Sequence, residues 1–135
     1  MKYLLDTNAI IDYLRRGVAS NVRSRIATAT SGSLFLCSVV LAELCYGVKK
    51  SSPVHRRYNE QALVELRTLF TSLPFDDAAA EIYGDLRATL SKQGNLIGPV
   101  DLFIAAIALA NNATLVTHNI QEFQRVPGLL IEDWQ

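Results

Sequence analysis

Tyr3-Leu4-Leu5 is an unbroken apolar run that stops at a carboxylate, Asp6, and gives way at once to a helical pattern in Ile10, Ile11 and Leu14. Consecutive apolar residues without polar alternation describe a strand buried on both faces, as in a parallel sheet. Thr7 or Asn8 is placed to cap the helix that follows. A strand buried on both sides needs covering helices, so these fourteen residues already constrain the chain to an α/β arrangement. Asp6 then falls where a central strand ends and a helix begins, the edge of an open α/β sheet at which ligands bind. A turn or cap role would account for the same residue, and the rest of the chain has to decide.

With 135 residues, half of them hydrophobic and 19% charged, the chain reads as a single domain over 1–135. A domain of that size is large enough to hold one core without metal or disulfide staples. Thirteen basic and thirteen acidic residues give a formal net charge of zero. That balance argues against a grip on nucleic acid by bulk charge. It leaves room for a local basic patch, and Arg15, Arg16, Arg23 and Arg25 lie close together. Cys37 and Cys45, in apolar surroundings, read as small core residues and not as a disulfide framework or zinc site. The N-terminal apolar run is too short for a signal peptide and no run reaches transmembrane length, so a cytoplasmic protein without membrane association is expected.

Along the chain, Asn21 to Thr30 carries helical spacing with arginines between, and Leu34 to Ser38 (LFLCS) reads as a second buried strand. Ser38 is placed to cap the next helix, VVLAELCYGV, which is expected to end near Gly47 and Lys49-Lys50. Ser52 and Pro53 start a helix to Phe70, antiparallel to the one before. A short strand over Thr71 to Phe75 is placed at the sheet edge because of Pro74. Asp76 or Asp77 caps a helix through Leu90, and Gly98-Pro99 opens one that is hydrophobic all round, with Asp101 in its first turn. Thr114 to Thr117 is a fourth strand, followed by His118-Asn119 and a short helix around Ile120 to Phe123. Leu129 to Ile131 completes the strands, and Trp134 packs the end of the chain. Strands alternating with helices predict a three-layer α/β/α sandwich around a mostly parallel sheet of four to five strands, joined by right-handed crossovers.

In that topology Asp6, Asp101 and Glu43 approach one sheet edge, with His118-Asn119 beside them. Glu43 is either a solvated helix residue or, in so apolar a helix, turned inward. Asp101 is explained equally by the helix dipole, which favours an acid in the first turn by about 0.3–1 kcal/mol. Three carboxylates converging to about 5 Å at an effective dielectric near 20 would repel by roughly 3 kcal/mol per pair. Protonation or a bound cation must relieve such a cost. Oxygen donors without Cys or His select a hard cation, Mg²⁺ or Mn²⁺, and an ion so held suits phosphodiester hydrolysis.

LLDTN at 4–8, SVVLAEL at 38–44, IGPVDLFIAAIAL at 97–109, LVTHNIQEF at 115–123 and RVPGL at 125–129 together resemble the PIN-domain ribonucleases, most closely the VapC-type toxins of toxin–antitoxin pairs. The resemblance is ordered and covers nearly the whole chain. It implies a Mg²⁺- or Mn²⁺-dependent endoribonuclease that leaves a 5′-phosphate and a 3′-hydroxyl. It also implies neutralisation by a cognate VapB-type antitoxin, and a homodimer or larger toxin–antitoxin assembly. By position, Asp6, Glu43 and Asp101 match the catalytic, metal-binding acids. Asn119 stands where many PIN domains have Asp; it would hold a metal-bound water, with Glu122 one turn on supplying the missing charge at a second site. Thr7, Asn8 and Thr117 would orient carboxylates or water. Asp12 is expected on the helix surface, and His55 and His118 are not expected to be ligands. Two alternatives stay open: a housekeeping PIN nuclease of RNA processing, and a catalytically weak PIN-like module that only binds RNA or protein. A haloacid-dehalogenase-like phosphatase is disfavoured because Asn8 occupies the place of its second Asp, and a receiver domain because no acidic pair precedes the strand-end Asp.

Overall fold

Five short strands, β1 (Tyr3–Leu5), β2 (Leu34–Cys37), β3 (Thr71–Leu73), β4 (Thr114–Val116) and β5 (Ile131–Glu132), pair in parallel in the order β3-β2-β1-β4-β5. The structure is a computed structural model that describes all 135 residues. Seven helices connect the strands: α1 (Thr7–Arg16), α2 (Asn21–Thr28), α3 (Ser38–Lys50), α4 (Pro53–Leu69), α5 (Asp77–Lys92), α6 (Pro99–Ala110) and α7 (Ile120–Phe123). The steps β1 to β2 and β2 to β3 move one way across the sheet, and the return from β3 to β4 passes over both. With right-handed crossovers these connections cover opposite faces.

The sheet centre is apolar because both its faces are covered. Leu4, Leu5 and Leu115 are fully buried, as are Ala105 to Ala108 of α6, within a core of 27 residues. This explains why α6 is hydrophobic all round. Edge strand β3 is more exposed, as Pro74 predicts. At the far end Trp134 lies against Tyr3 with centroids 5.1 Å apart, under the Arg25 guanidinium at 4.7 Å. Its indole N–H donates to Glu132 at 3.0 Å.

Several local expectations need correction. Asp6 itself caps α1, its Oδ1 accepting from the Thr7 N–H at 2.6 Å, so neither Thr7 nor Asn8 is the cap. Ser38 begins α3 but caps nothing; its hydroxyl accepts from the Phe75 N–H at 3.2 Å. α3 continues through Gly47 to Lys50. Cys45 is exposed, so only Cys37 is a core residue.

Asp12 is the largest correction. It is buried, not a surface residue: Oδ2 accepts from the Ser20 hydroxyl at 2.6 Å and Oδ1 from Arg16 at 3.4 Å. Ser20 in turn caps α2 by accepting from the Arg23 N–H at 3.1 Å. The pair thus bridges α1 to α2 across Gly17, whose φ of 53° requires glycine at the end of α1.

Candidate active site

The strand order defines a switch point between β1 and β4, where the chain leaves in opposite directions and parallel sheets open a crevice at the strand ends. Leu5 is in register with Val116, which brings the next residues, Asp6 and Thr117, together at that crevice. The Asp6 N–H donates to the Val116 carbonyl at 2.9 Å, and the Thr117 hydroxyl donates to Asp6 Oδ2 at 2.7 Å. Asp6 is only 5% exposed, and each of its oxygens holds one hydrogen-bond donor. Burial pushes its pKa up, while the Thr117 and Thr7 donors oppose the shift.

Asp101 faces the same space from the first turn of α6, half-buried. Its pKa is raised to about 7, first by burial, then by the charges of Glu122 and Asp6 and a proton shared with Glu122, with Glu43 contributing last. Glu122 moves the other way. Its Oε1 accepts from the Gly98 N–H at 2.6 Å and its Oε2 from the Asn119 amide at 2.9 Å, and these donors lower its pKa. The Gly98 bond ties α7 to the start of α6 and so fixes Asp101 relative to β4. Asn119 also points its amide at Asp101 Oδ2 at 3.5 Å, while its own N–H donates to Thr117 Oγ1 at 3.0 Å. Its NH₂ is therefore turned towards the acids.

Of the residues singled out in the sequence, Asp6, Asp101, Thr117, Asn119 and Glu122 form one connected group. Glu43 is exposed, so the inward reading fails for it; it stands at the rim, close enough for its charge to act on Asp101. Thr7 contributes its backbone N–H, and Asn8 is exposed with no side-chain hydrogen bond. His55 is exposed on α4, and His118 pairs with Asp133 at 2.9 Å. No three acids are drawn together at the spacing of a closed metal cage. The donors nonetheless fit a hard cation held partly through water. They are all oxygen, they repel one another, and the proton retained by Asp101 marks charge that a cation would relieve.

Two expected results follow from this geometry. Thr117→Val removes the hydroxyl that orients Asp6, and loss of such an outer partner is expected to lower divalent-metal affinity by about 10–100-fold; a Mn²⁺ titration checks it. The second concerns pH. Asp101 in the folded, metal-free protein keeps its proton to about pH 7, against 3.8 ordinarily. Between these values the folded state binds more protons than the unfolded one, so stability from this group is present at low pH and lost as pH rises towards 7. Metal-free protein is therefore expected to melt lower at pH 7.5 than at pH 5.5, by this group's contribution, and Mg²⁺ or Mn²⁺ to restore the melting temperature chiefly at the higher pH.

An α/β protein with an oxygen-only acidic crevice at its switch point has the ligand-binding geometry of open parallel sheets and donors of the kind that suit a hard cation. The PIN domain family model matches residues 3–129. Ribonuclease VapC2 of Rickettsia felis is 38% identical over 134 residues, covering 99% of this chain and 98% of the relative. The tRNA(fMet)-specific endonuclease VapC of Shigella flexneri is 39% identical with the same coverage. The crystal structure of VapBC2 from Rickettsia felis bound to a DNA fragment from their promoter superposes with a TM-score of 0.87 at 37% identity, covering both chains completely. The chain belongs to the PIN-domain family, among its VapC ribonucleases.

Proposed function

We propose that the protein is a Mg²⁺-dependent endoribonuclease, with Mn²⁺ able to substitute, that acts as the toxin of a toxin–antitoxin pair and is inhibited by a cognate antitoxin. The observation that carries this reading is the meeting of buried Asp6 with Asp101 at the switch point, under the added charge of Glu122 and Glu43. Asp6 is presented with both oxygens fixed, by the Thr7 N–H and the Thr117 hydroxyl, so little reorganisation remains when substrate arrives. Asp101 sits at a helix N-terminus, whose dipole favours its ionised form once a cation offsets its neighbours. Glu122 and Asn119 hold α7 against α6 and keep the acids in place. We assign the metal-holding role to Asp6 and Asp101, with Glu43 reached from the rim and Glu122 and Asn119 in support. A divalent cation bound there supplies positive charge to the phosphate and lowers the pKa of water. In hydrolysis, water oxygen adds to phosphorus, the bond to the 3′ oxygen breaks, and the products carry a 5′-phosphate and a 3′-hydroxyl.

Partner binding needs apolar surface, and the α3–α4 pair leaves Tyr46 (67% exposed), Val54 (84%) and Tyr58 (75%) uncovered. That surface supports an antitoxin contact or self-association as a homodimer. No helix is long and apolar enough to cross a membrane. A binding-only module is the second reading, favoured by the lack of a closed three-acid cage. The test is incubation of purified protein with total RNA, and with initiator tRNA, in Mg²⁺, Mn²⁺ or EDTA. Discrete fragments that require the metal support the nuclease, and their suppression by an antitoxin of the VapB type supports the toxin role. Retention of RNA without cleavage in any metal would favour the binding module.

A further inference from the structure

A second feature adjoins the acidic crevice. A groove of about 310 Å³ runs along one side of α1, where Asn8, Ile11, Asp12, Arg15 and Arg16 line it together with His118 and Gln135. It flanks the site without including the acids in its lining: Asn8 lies two residues past Asp6, and His118 follows Thr117, the residue that bonds Asp6. From Asn8 to Arg15 the helix rises about 10 Å, so the arginines stand at the end of the groove away from the Asp6–Thr117 pair.

The charges along this groove are ordered by their partners. Asp12 is a buried carboxylate, its side chain 8% exposed, bonded to Ser20 on one oxygen and holding Arg16 on the other. That anchor fixes Arg16 over the groove. The three salt bridges of the chain engage Arg16, Arg25 and His118, and leave Arg15 unpaired. The Asp12 carboxylate in this lining is already engaged by Ser20 and Arg16, which leaves the Arg15 guanidinium as the group free to meet an anion there. Guanidinium groups suit phosphate oxygens through paired N–H donors.

We propose that this groove carries the RNA backbone beside the scissile phosphate and that Arg15, assisted by Arg16, is a substrate-positioning residue. The inference rests on the ribonuclease reading of the neighbouring acids. A phosphate contact contributes affinity and salt dependence without touching the reacting atoms.

The test compares wild type, Arg15→Gln, Arg15→Lys and Arg67→Gln, an exposed arginine of α4 serving as control. Binding of a labelled single-stranded RNA in EDTA is measured across a salt series, and kcat and KM in Mn²⁺. Arg15→Gln is expected to reduce the slope of log K against log salt by about 0.7. It should weaken binding about two- to fivefold, the range of an exposed charge contact, and raise KM with kcat nearly unchanged. Arg15→Lys should recover the salt slope and Arg67→Gln should match wild type. An unaltered slope and KM in Arg15→Gln, with wild type cutting normally, would overturn this proposal alone. So would loss of antitoxin binding with RNA binding intact, which would assign the groove to an acidic protein segment. Failure of wild type to bind or cut RNA would overturn it together with the ribonuclease reading.

Discussion

Asp101→Asn is expected to lower kcat/KM for RNA cleavage by about a thousandfold or more while leaving the protein folded. Charge stabilisation by a bound cation amounts to several kcal/mol, and each 1.36 kcal/mol is tenfold in rate. Asparagine keeps the shape of the side chain but removes the charge that would hold the cation. The folded state should not suffer, because Asp101 is under repulsion from Glu122, Asp6 and Glu43. At pH 7.5 and without metal, the variant is expected to melt at or above the wild-type temperature. Single-turnover cleavage and a thermal melt on the same sample read both effects, and a variant that cleaves normally would remove Asp101 from the site.

The second large effect lies in the core. Leu4 is fully buried in β1, which pairs with β2 on one side and β4 on the other. Leu4→Ala leaves a cavity in a layer covered on both faces, and such truncations cost about 2–5 kcal/mol. Against a total of about 5–15 kcal/mol for a typical domain, that is a large share. Chemical denaturation should show a lower midpoint with an unchanged slope. Because Leu4 lies in the strand that leads directly into Asp6, partial loss of metal affinity is expected to accompany the loss of stability.

The parts of this protein that were legible in its sequence are those written in short-range pattern. The apolar run before Asp6, the all-apolar α6 and the alternation of strands with helices give the parallel sheet and place Asp6 and Asp101 at one edge. What the sequence hides depends on register and long-range approach. Thr117 becomes the donor to Asp6 only because Leu5 pairs with Val116, a choice set by the sheet and not by either segment. Glu122 reaches back across 24 residues to the Gly98 N–H, and nothing near either residue announces it. Asp12 looks like a surface charge until Ser20 is brought against it by the turn at Gly17. Glu43 misleads in the opposite sense. Its neighbours are apolar enough to imply burial, yet α3 keeps Ala42, Glu43, Cys45 and Tyr46 exposed.

The most direct test of the central claim is a calorimetric titration of Mn²⁺ into wild type, Asp6→Asn and Asp101→Asn at pH 6.5, repeated in two buffers of different ionisation enthalpy. The wild-type protein is expected to bind the ion and release a proton, since Asp101 retains its proton to about pH 7 when no cation is present. Both variants should lose most of that affinity, and Asp101→Asn should also lose the proton release. Equal binding by all three proteins, with no proton released, would contradict the assignment of these two acids as the metal site.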